Sequence, residues 1–328
     1  MAVRVSLGTL ALMACLLMLP QRGWAQDRQV FLDRASRLNQ QAIEWYTKGL
    51  YTQAIPLARE ALSLFEVARG PDHPDVGTSL NNLAELLQTT GDLAEARPVY
   101  ERALKIRERA LGPDHPDVAT SLNDLALLLW GTGDLAGARP LYERALHIYE
   151  RARGPNHPDV ATSMNNLALL LWGTGDYLRA RFLYARALQI NERALGPEHP
   201  QVATSLNNLA WLLQATGDLA GARFLYARAL QINEGALGLE HPVVATSLNK
   251  LAELLRATDD LAEARPLYER ALRIRQRALG PEHLDVATTM ENYAALLRQM
   301  QRKSEAVELE ARAKAIRSKH DHKFNSFQ

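Results

Sequence analysis

Histidine is the residue type whose spacing first invites a chemical reading. Six of the nine histidines, His73, His115, His157, His199, His241 and His283, recur once every 42 residues. Imidazoles ligate metals or shuttle protons when several converge with carboxylates or thiolates on one point. One histidine per period, each in Gly-Pro-x-His-Pro or a close variant, sets them at equivalent places along a repeating structure instead. Asp75, Asp117 and Asp159 recur beside them and read as helix-start residues, not as an isolated acid–base couple. The chain has no phosphate-cradling glycine loop of Walker spacing, no Gly-x-Ser-x-Gly and no His-Glu-x-x-His. The expectation is a protein that is not an enzyme and holds neither metal nor cofactor.

Charge points the same way. Lys and Arg total 38 against 37 Asp and Glu, with the two signs intermixed, so a nucleic-acid partner is not expected. Arg97, Arg139, Arg181, Arg223 and Arg265 recur once per period, and three of them have Glu101, Glu143 or Glu269 four residues on. On a helix that spacing makes surface pairs worth a few tenths of a kcal/mol each.

The elements behind these patterns are copies of one unit. Residues 112–153 recur without insertion at 70–111, 154–195, 196–237 and 238–279, with a decayed copy at 280–321 and a first one at 28–69 that lacks the junction phrase. A fixed period of this size implies stacked supersecondary units, not one closed core. Within the unit, Leu122, Leu125, Ala126 and Leu129 form one helical stripe. Asp134 is placed to cap a second helix, and Asp92–Glu95 and Asp260–Glu263 have the spacing of a capping box. Leu135, Ala138, Leu141, Tyr142, Ala145 and Leu146 continue the stripe, and Gly154-Pro155 stops it. Pro98, Pro140 and Pro266 fall inside second helices, where Phe182 and Phe224 stand in the two middle copies. Each unit is a helical hairpin that buries its stripe only by stacking. Glu310 and Lys314, at places held elsewhere by Tyr142 and Leu146, mark the last copy as a capping repeat.

The ends read differently. Arg4, the apolar run Leu7–Leu19, Pro20 and Gly23-Trp24-Ala25 make residues 1–25 a signal peptide cleaved before Gln26, and the chain is expected to be exported, periplasmic or secreted. Two alternatives stay open, a retained membrane anchor and lipidation of Cys15. Otherwise no membrane association of the mature form is expected. Residues 26–317 form the solenoid, and 318–328 are expected to be a flexible tail.

The spacing Leu125-Ala126-x2-Leu129-x3-Gly133-x-Leu135-x2-Ala138-x3-Tyr142-x2-Ala145-Leu146 resembles the tetratricopeptide-repeat (TPR) signature. With HPDVATSLNNLA and ARPLYERAL it is similar to the longer repeats of kinesin light chains and nephrocystin. The resemblance implies an all-α fold, a right-handed TPR superhelix (α-solenoid) of about seven helical hairpins. It also implies that the first-helix face opposite the packing stripe lines a concave groove. On that face lie Asn81, Asn123, Asn165, Asn207 and Asn249, whose carboxamides both donate and accept. Beyond them come places that vary between copies, with Leu127, Trp130, Leu169, Trp172 and Trp211 in the middle and Arg256 and Arg298 making a basic C-terminal end. Those residues are the candidate peptide-binding groove of a scaffold or adaptor that holds an extended protein or peptide segment. Two further readings stay open: the asparagines bond within the scaffold, and the chain self-associates without capturing a peptide.

Overall fold

The structure, a computed structural model, describes residues 21–325, with side chains over 26–319. The expected signal segment, including Cys15 and its apolar run, lies up to residue 20 outside the described residues. Fourteen helices account for nearly all of the rest, and no strand occurs among the described residues. They form two compact units, one ending at Ala152 and one beginning at Arg153.

The first unit holds α1 (Gln21–Thr47), α2 (Tyr51–Arg69), α3 (Pro74–Thr89), α4 (Leu93–Leu111), α5 (Pro116–Gly131) and α6 (Leu135–Arg153, which ends at the boundary). The second holds α7 (Pro158–Gly173), α8 (Tyr177–Leu195), α9 (Pro200–Ala215), α10 (Leu219–Leu237), α11 (Pro242–Ala257), α12 (Leu261–Leu279), α13 (Leu284–Gln299) and α14 (Lys303–Asn325). No described helix is long and apolar enough to cross a membrane. The last helix runs to Asn325, so the tail expected from residue 318 is helical almost to its end.

Each pair is the hairpin that the apolar stripes demand. Ala84 and Ala96, like Ala210 and Ala222, are wholly buried, which lets the two helices of a repeat approach closely. In the second unit Val202, Ala203 and Leu206 of α9 meet Ala229 and Ile232 of α10, with Leu188 of the preceding repeat packed on the same cluster. One repeat later Val244, Ala245 and Leu248 meet Ala271 and Ile274, with Leu230. In the first unit Val76 and Leu80 meet Ala103 and Ile106, closed from before by Ala35 and Phe65. A hairpin therefore completes its core only with its neighbour, and stability is a sum of neighbour terms.

Proline does not shorten the second helices: α4, α6 and α12 have 19 residues, as do α8 and α10 with phenylalanine at that place. Gly112 ends α4 at φ 91°, a backbone region open to glycine. In the hairpin turn Asp259 replaces that residue type and still adopts φ 65°, a strained but tolerated conformation for aspartate.

Two charge expectations part company. The pairs Arg97–Glu101, Arg139–Glu143 and Arg265–Glu269 form at 3.0, 2.9 and 2.8 Å. The capping boxes do not: neither Asp92 nor Asp260 caps its helix. Glu95 instead pairs with Arg59 of the preceding repeat, and Glu263 with Arg223, both at 2.7 Å. A full ion pair outcompetes the reach of a glutamate back to a backbone N–H, and Asp260 turns to the Thr258 hydroxyl at 2.8 Å. Where the third residue offers no such carboxylate, Asp134 and Asp218 do cap, accepting from Gly137 and Gly221 N–H at 2.9 and 3.0 Å. A further ladder joins successive second helices through Arg102–Glu66, Arg144–Glu108, Arg228–Glu192 and Arg270–Glu234.

Candidate functional site

All six junction histidines do the same thing. Nδ1 of His73, His115, His157, His199, His241 and His283 accepts the backbone N–H two residues on, at 3.1–3.2 Å. Each histidine is the N-cap of a first helix, extended in backbone, with proline following in five of the six. Among the described residues no three His, Cys, Asp or Glu side chains gather as a metal-binding group.

The asparagine column divides. Asn81, Asn123 and Asn249 are buried, not open to a groove. Asn81 Nδ2 donates to Asp124 Oδ2 at 2.6 Å, and Asn249 Nδ2 to Thr289 Oγ1 at 3.2 Å, each partner lying on the next repeat's first helix. Asn81 and Asn249 belong to the seam between first helices and Asn123 is buried, which corrects the expectation that they grip a ligand. For Asn81 and Asn249 the physical reason is the close pitch of the stack: the next first helix covers the position before any partner could. The recurrent serine beside them, threonine in the last repeat, ties in the preceding second helix: Asn191 of α8 and Asn233 of α10 donate to Ser205 and Ser247 at 2.9 Å, and Arg275 of α12 to Thr289 at 2.8 Å.

Asn165 and Asn207 differ. They are half-buried and both line a depression of about 230 Å³ on the first-helix face of the second unit, while their Oδ1 atoms, like that of Asn249, are buried and take no hydrogen bond. Leu169 and Trp211 supply its apolar wall. Three residues that the sequence reading passed over complete it: Asn166, Asn208 and Lys250. They occupy one equivalent position, a single residue after the column chosen above, and their recurrence was visible as the second Asn of the Asn-Asn pairs. A shift of one residue turns a helix by about 100°; in the first unit this second position still meets the seam, where Asp124 accepts from Asn81 and Asn82 donates to Asn39. Burial pushes the Lys250 pKa down while nearby Glu253 pulls it up, and no described carboxylate stands within ion-pair distance of its ammonium. Lys250 is thus a cation held at a polar, partly dry surface, with Glu253 nearby but outside ion-pair distance.

The remaining candidates scatter. Trp172 and Trp211 pack on one another across α7 and α9, with ring centroids 4.0 Å apart and planes at 48°. Both stay half-buried, as does Trp130 in the first unit, where Leu127 is exposed. Arg298 is taken by Glu310 in a two-pronged pair at 2.6 Å, which corrects its assignment to a basic groove end. Arg256 is half-buried near Tyr268, whose hydroxyl is pushed up to about 12 by burial and partly pulled back by Arg256. The same place in the first unit explains both: Tyr100 donates to Gln88 at 3.1 Å, so this position serves the second-helix residue beneath it.

With that geometry in view, comparison with known proteins is informative. The family model described as "Tetratricopeptide repeat" matches residues 42–109, 75–150, 125–192, 171–235 and 243–319. No curated protein sequence matches the chain significantly. Among solved structures, a Podosopora anserina protein described by its "kinesin light chain nearly identical TPR-like repeats" is 26% identical, with a TM-score of 0.56, over 63% of this chain and 98% of its own. BtubC (BKLC) from P. vanneervenii is 25% identical, with a TM-score of 0.55, over 77% of this chain and 92% of its own. RapI in its apo form superposes with a TM-score of 0.63 over 88% of this chain and 99% of its own, at 14% identity, a likeness of fold.

Proposed function

The chain belongs to the tetratricopeptide-repeat family, a family of protein-interaction scaffolds, and from that premise we propose that its second unit holds an extended segment of a partner protein on the first-helix face. The observation that carries this reading is the depression formed by Asn165, Asn166, Asn207, Asn208, Leu169, Trp211 and Lys250. The carboxamides of Asn166 and Asn208 carry both donors and an acceptor for a main chain without demanding a particular side chain. Leu169 and Trp211 offer an apolar seat of the sort that anchors binding. The unpaired ammonium of Lys250 adds a preference for a carboxylate. Successive first helices lie ~8–10 Å apart, so each repeat meets an extended chain about every third residue. The protein acts without catalysis of its own, as a scaffold or adaptor.

Selection from a random peptide library on the full chain tests this. Recovered peptides should share an apolar residue with an acidic residue within a few positions, and Trp211→Ala should lose them while helix content is unchanged. Recovery of no peptide, or binding indifferent to Trp211→Ala, overturns the reading. We further propose export directed by residues 1–25. Sequencing the N-terminus of the exported protein should begin at Gln26, and a cell-retained full-length chain would refute it.

A further inference from the structure

The first two repeats of the second unit depart from the others on their second helices in a concerted way. Where Pro98, Pro140 and Pro266 stand elsewhere, α8 and α10 carry Phe182 and Phe224, exposed by 63% and 67%. Three residues on, Glu101, Glu143 and Glu269 become Ala185 and Ala227, and four further, Lys105, His147 and Arg273 become Gln189 and Gln231. One acidic and one basic side chain thus leave the surface around each added phenylalanine, with Arg186 and Arg228 retained. Next to Phe182, Ala185 and Gln189 lies a depression of about 300 Å³, and next to Phe224, Ala227 and Gln231 one of about 310 Å³. Leu178, exposed by 85%, and half-exposed Tyr177 extend the apolar surface at the start of α8.

Arg186 and Arg228 line the two depressions as equivalents, Arg228 in an ion pair with Glu192. The rims differ in one further charge, of opposite sign. In other repeats the junction acid pairs with an arginine near the end of the second helix: Asp72–Arg109 and Asp114–Arg151 at 3.7 Å, Glu240–Arg277 at 3.2 Å. In repeat 154–195 the acid is Asn156, which leaves Arg193 without its carboxylate. In repeat 196–237 the arginine is Gly235, which leaves Glu198 without its cation. Arg193 lines the first depression and Glu198 the second, and both are exposed.

We propose that this face of α8 and α10 pairs with the same face of a second copy of the chain, about a twofold axis that runs along the helices midway between them. Such an axis sets α8 of one copy over α10 of the other with their C-terminal ends together. Phe182 then meets the depression beside Phe224 of the second copy, and Arg193 meets its Glu198, each contact occurring twice as an isologous interface requires. A twofold axis across the helices would instead oppose α8 to α8 with its ends reversed, leaving Arg193 and Glu198 far apart. A knob and a hollow of the same kind, one repeat apart and with complementary charges, specify this occupant. The first-helix depression lies on the other helix layer, so pairing leaves it open.

Sedimentation of the full chain over a concentration series tests the pairing. The wild type should dimerise with rising concentration. Arg193→Glu and Glu198→Arg should each weaken the dimer by roughly tenfold or more, because each sets like charges together twice. The two together should restore it, since each new glutamate then faces a new arginine. Phe182→Ser with Phe224→Ser should leave a monomer of unchanged helix content. A wild type that stays monomeric throughout, a dimer insensitive to these changes, or a double swap that fails to restore the dimer overturns the proposal.

Discussion

The Asn81 amide donates to Asp124 across 2.6 Å, from one repeat's first helix to the next. Asp124 stands where Asn82, Asn166 and Asn208 stand in other repeats, so it is a charged variant of a neutral position. Burial raises its carboxyl to about 6 from an ordinary 3.8; the Asn81 hydrogen bond opposes that rise, Glu85 adds to it and Arg107 opposes it. A native pKa above the unfolded one means that the folded state binds the extra proton between about pH 4 and pH 6. Stability therefore falls as pH rises through that window and stays lowered above it, by about 2–3 kcal/mol. Asp124→Asn should remove this penalty. Urea melts should show a gain near zero at about pH 4 that grows to its full size above about pH 6. A gain independent of pH would contradict the assignment.

The histidine caps give a second expectation. His115 holds the N–H of Asp117, so His115→Ala leaves that donor without its protein partner and should cost about 1 kcal/mol, as helix N-cap losses do. His115→Asn, which still accepts, should recover most of it. Thermal melts of both variants check this; equal losses would mean that the ring packs more than it caps.

Neighbouring asparagines should separate stability from binding. Asn249 is buried and bonded to Thr289, whereas Asn208 lines the open depression. Asn249→Ala should lower stability by about 1–2 kcal/mol and change peptide affinity little. Asn208→Ala should do the reverse. The paired measurement is a denaturant melt and a binding titration on each variant, and matching losses in both would erase the distinction between seam and face.

The 42-residue period, the hairpins and the helix start at Asp117 were legible because each depends on residues close in sequence. Which face of the first helix is open was not. The neighbouring columns that hold Asn249 and Asn208 recur equally well, and only the approach of the next repeat decides how far each residue is covered. The failed box at Asp92–Glu95 has the same origin: its competitor, Arg59, lies 36 residues away and becomes a neighbour only after stacking. Arg298 read as a free cation because Glu310 was seen as a mark of a terminal repeat, not as its partner. Lys250 was overlooked because a single lysine among Asn166 and Asn208 looks like drift until the depression around it is seen.

The claim that the first-helix face holds a partner segment through an unpaired cation is tested most directly by Lys250→Asn. Asparagine is already the residue of the two preceding repeats at that place, so the fold should tolerate it. Titrations of a selected acidic peptide and of its amide-substituted counterpart, against wild type and variant, should show a roughly tenfold loss confined to the acidic peptide, as removal of one charge-assisted bond implies. Equal affinity of the acidic peptide for both proteins, with the charge gone, would contradict it.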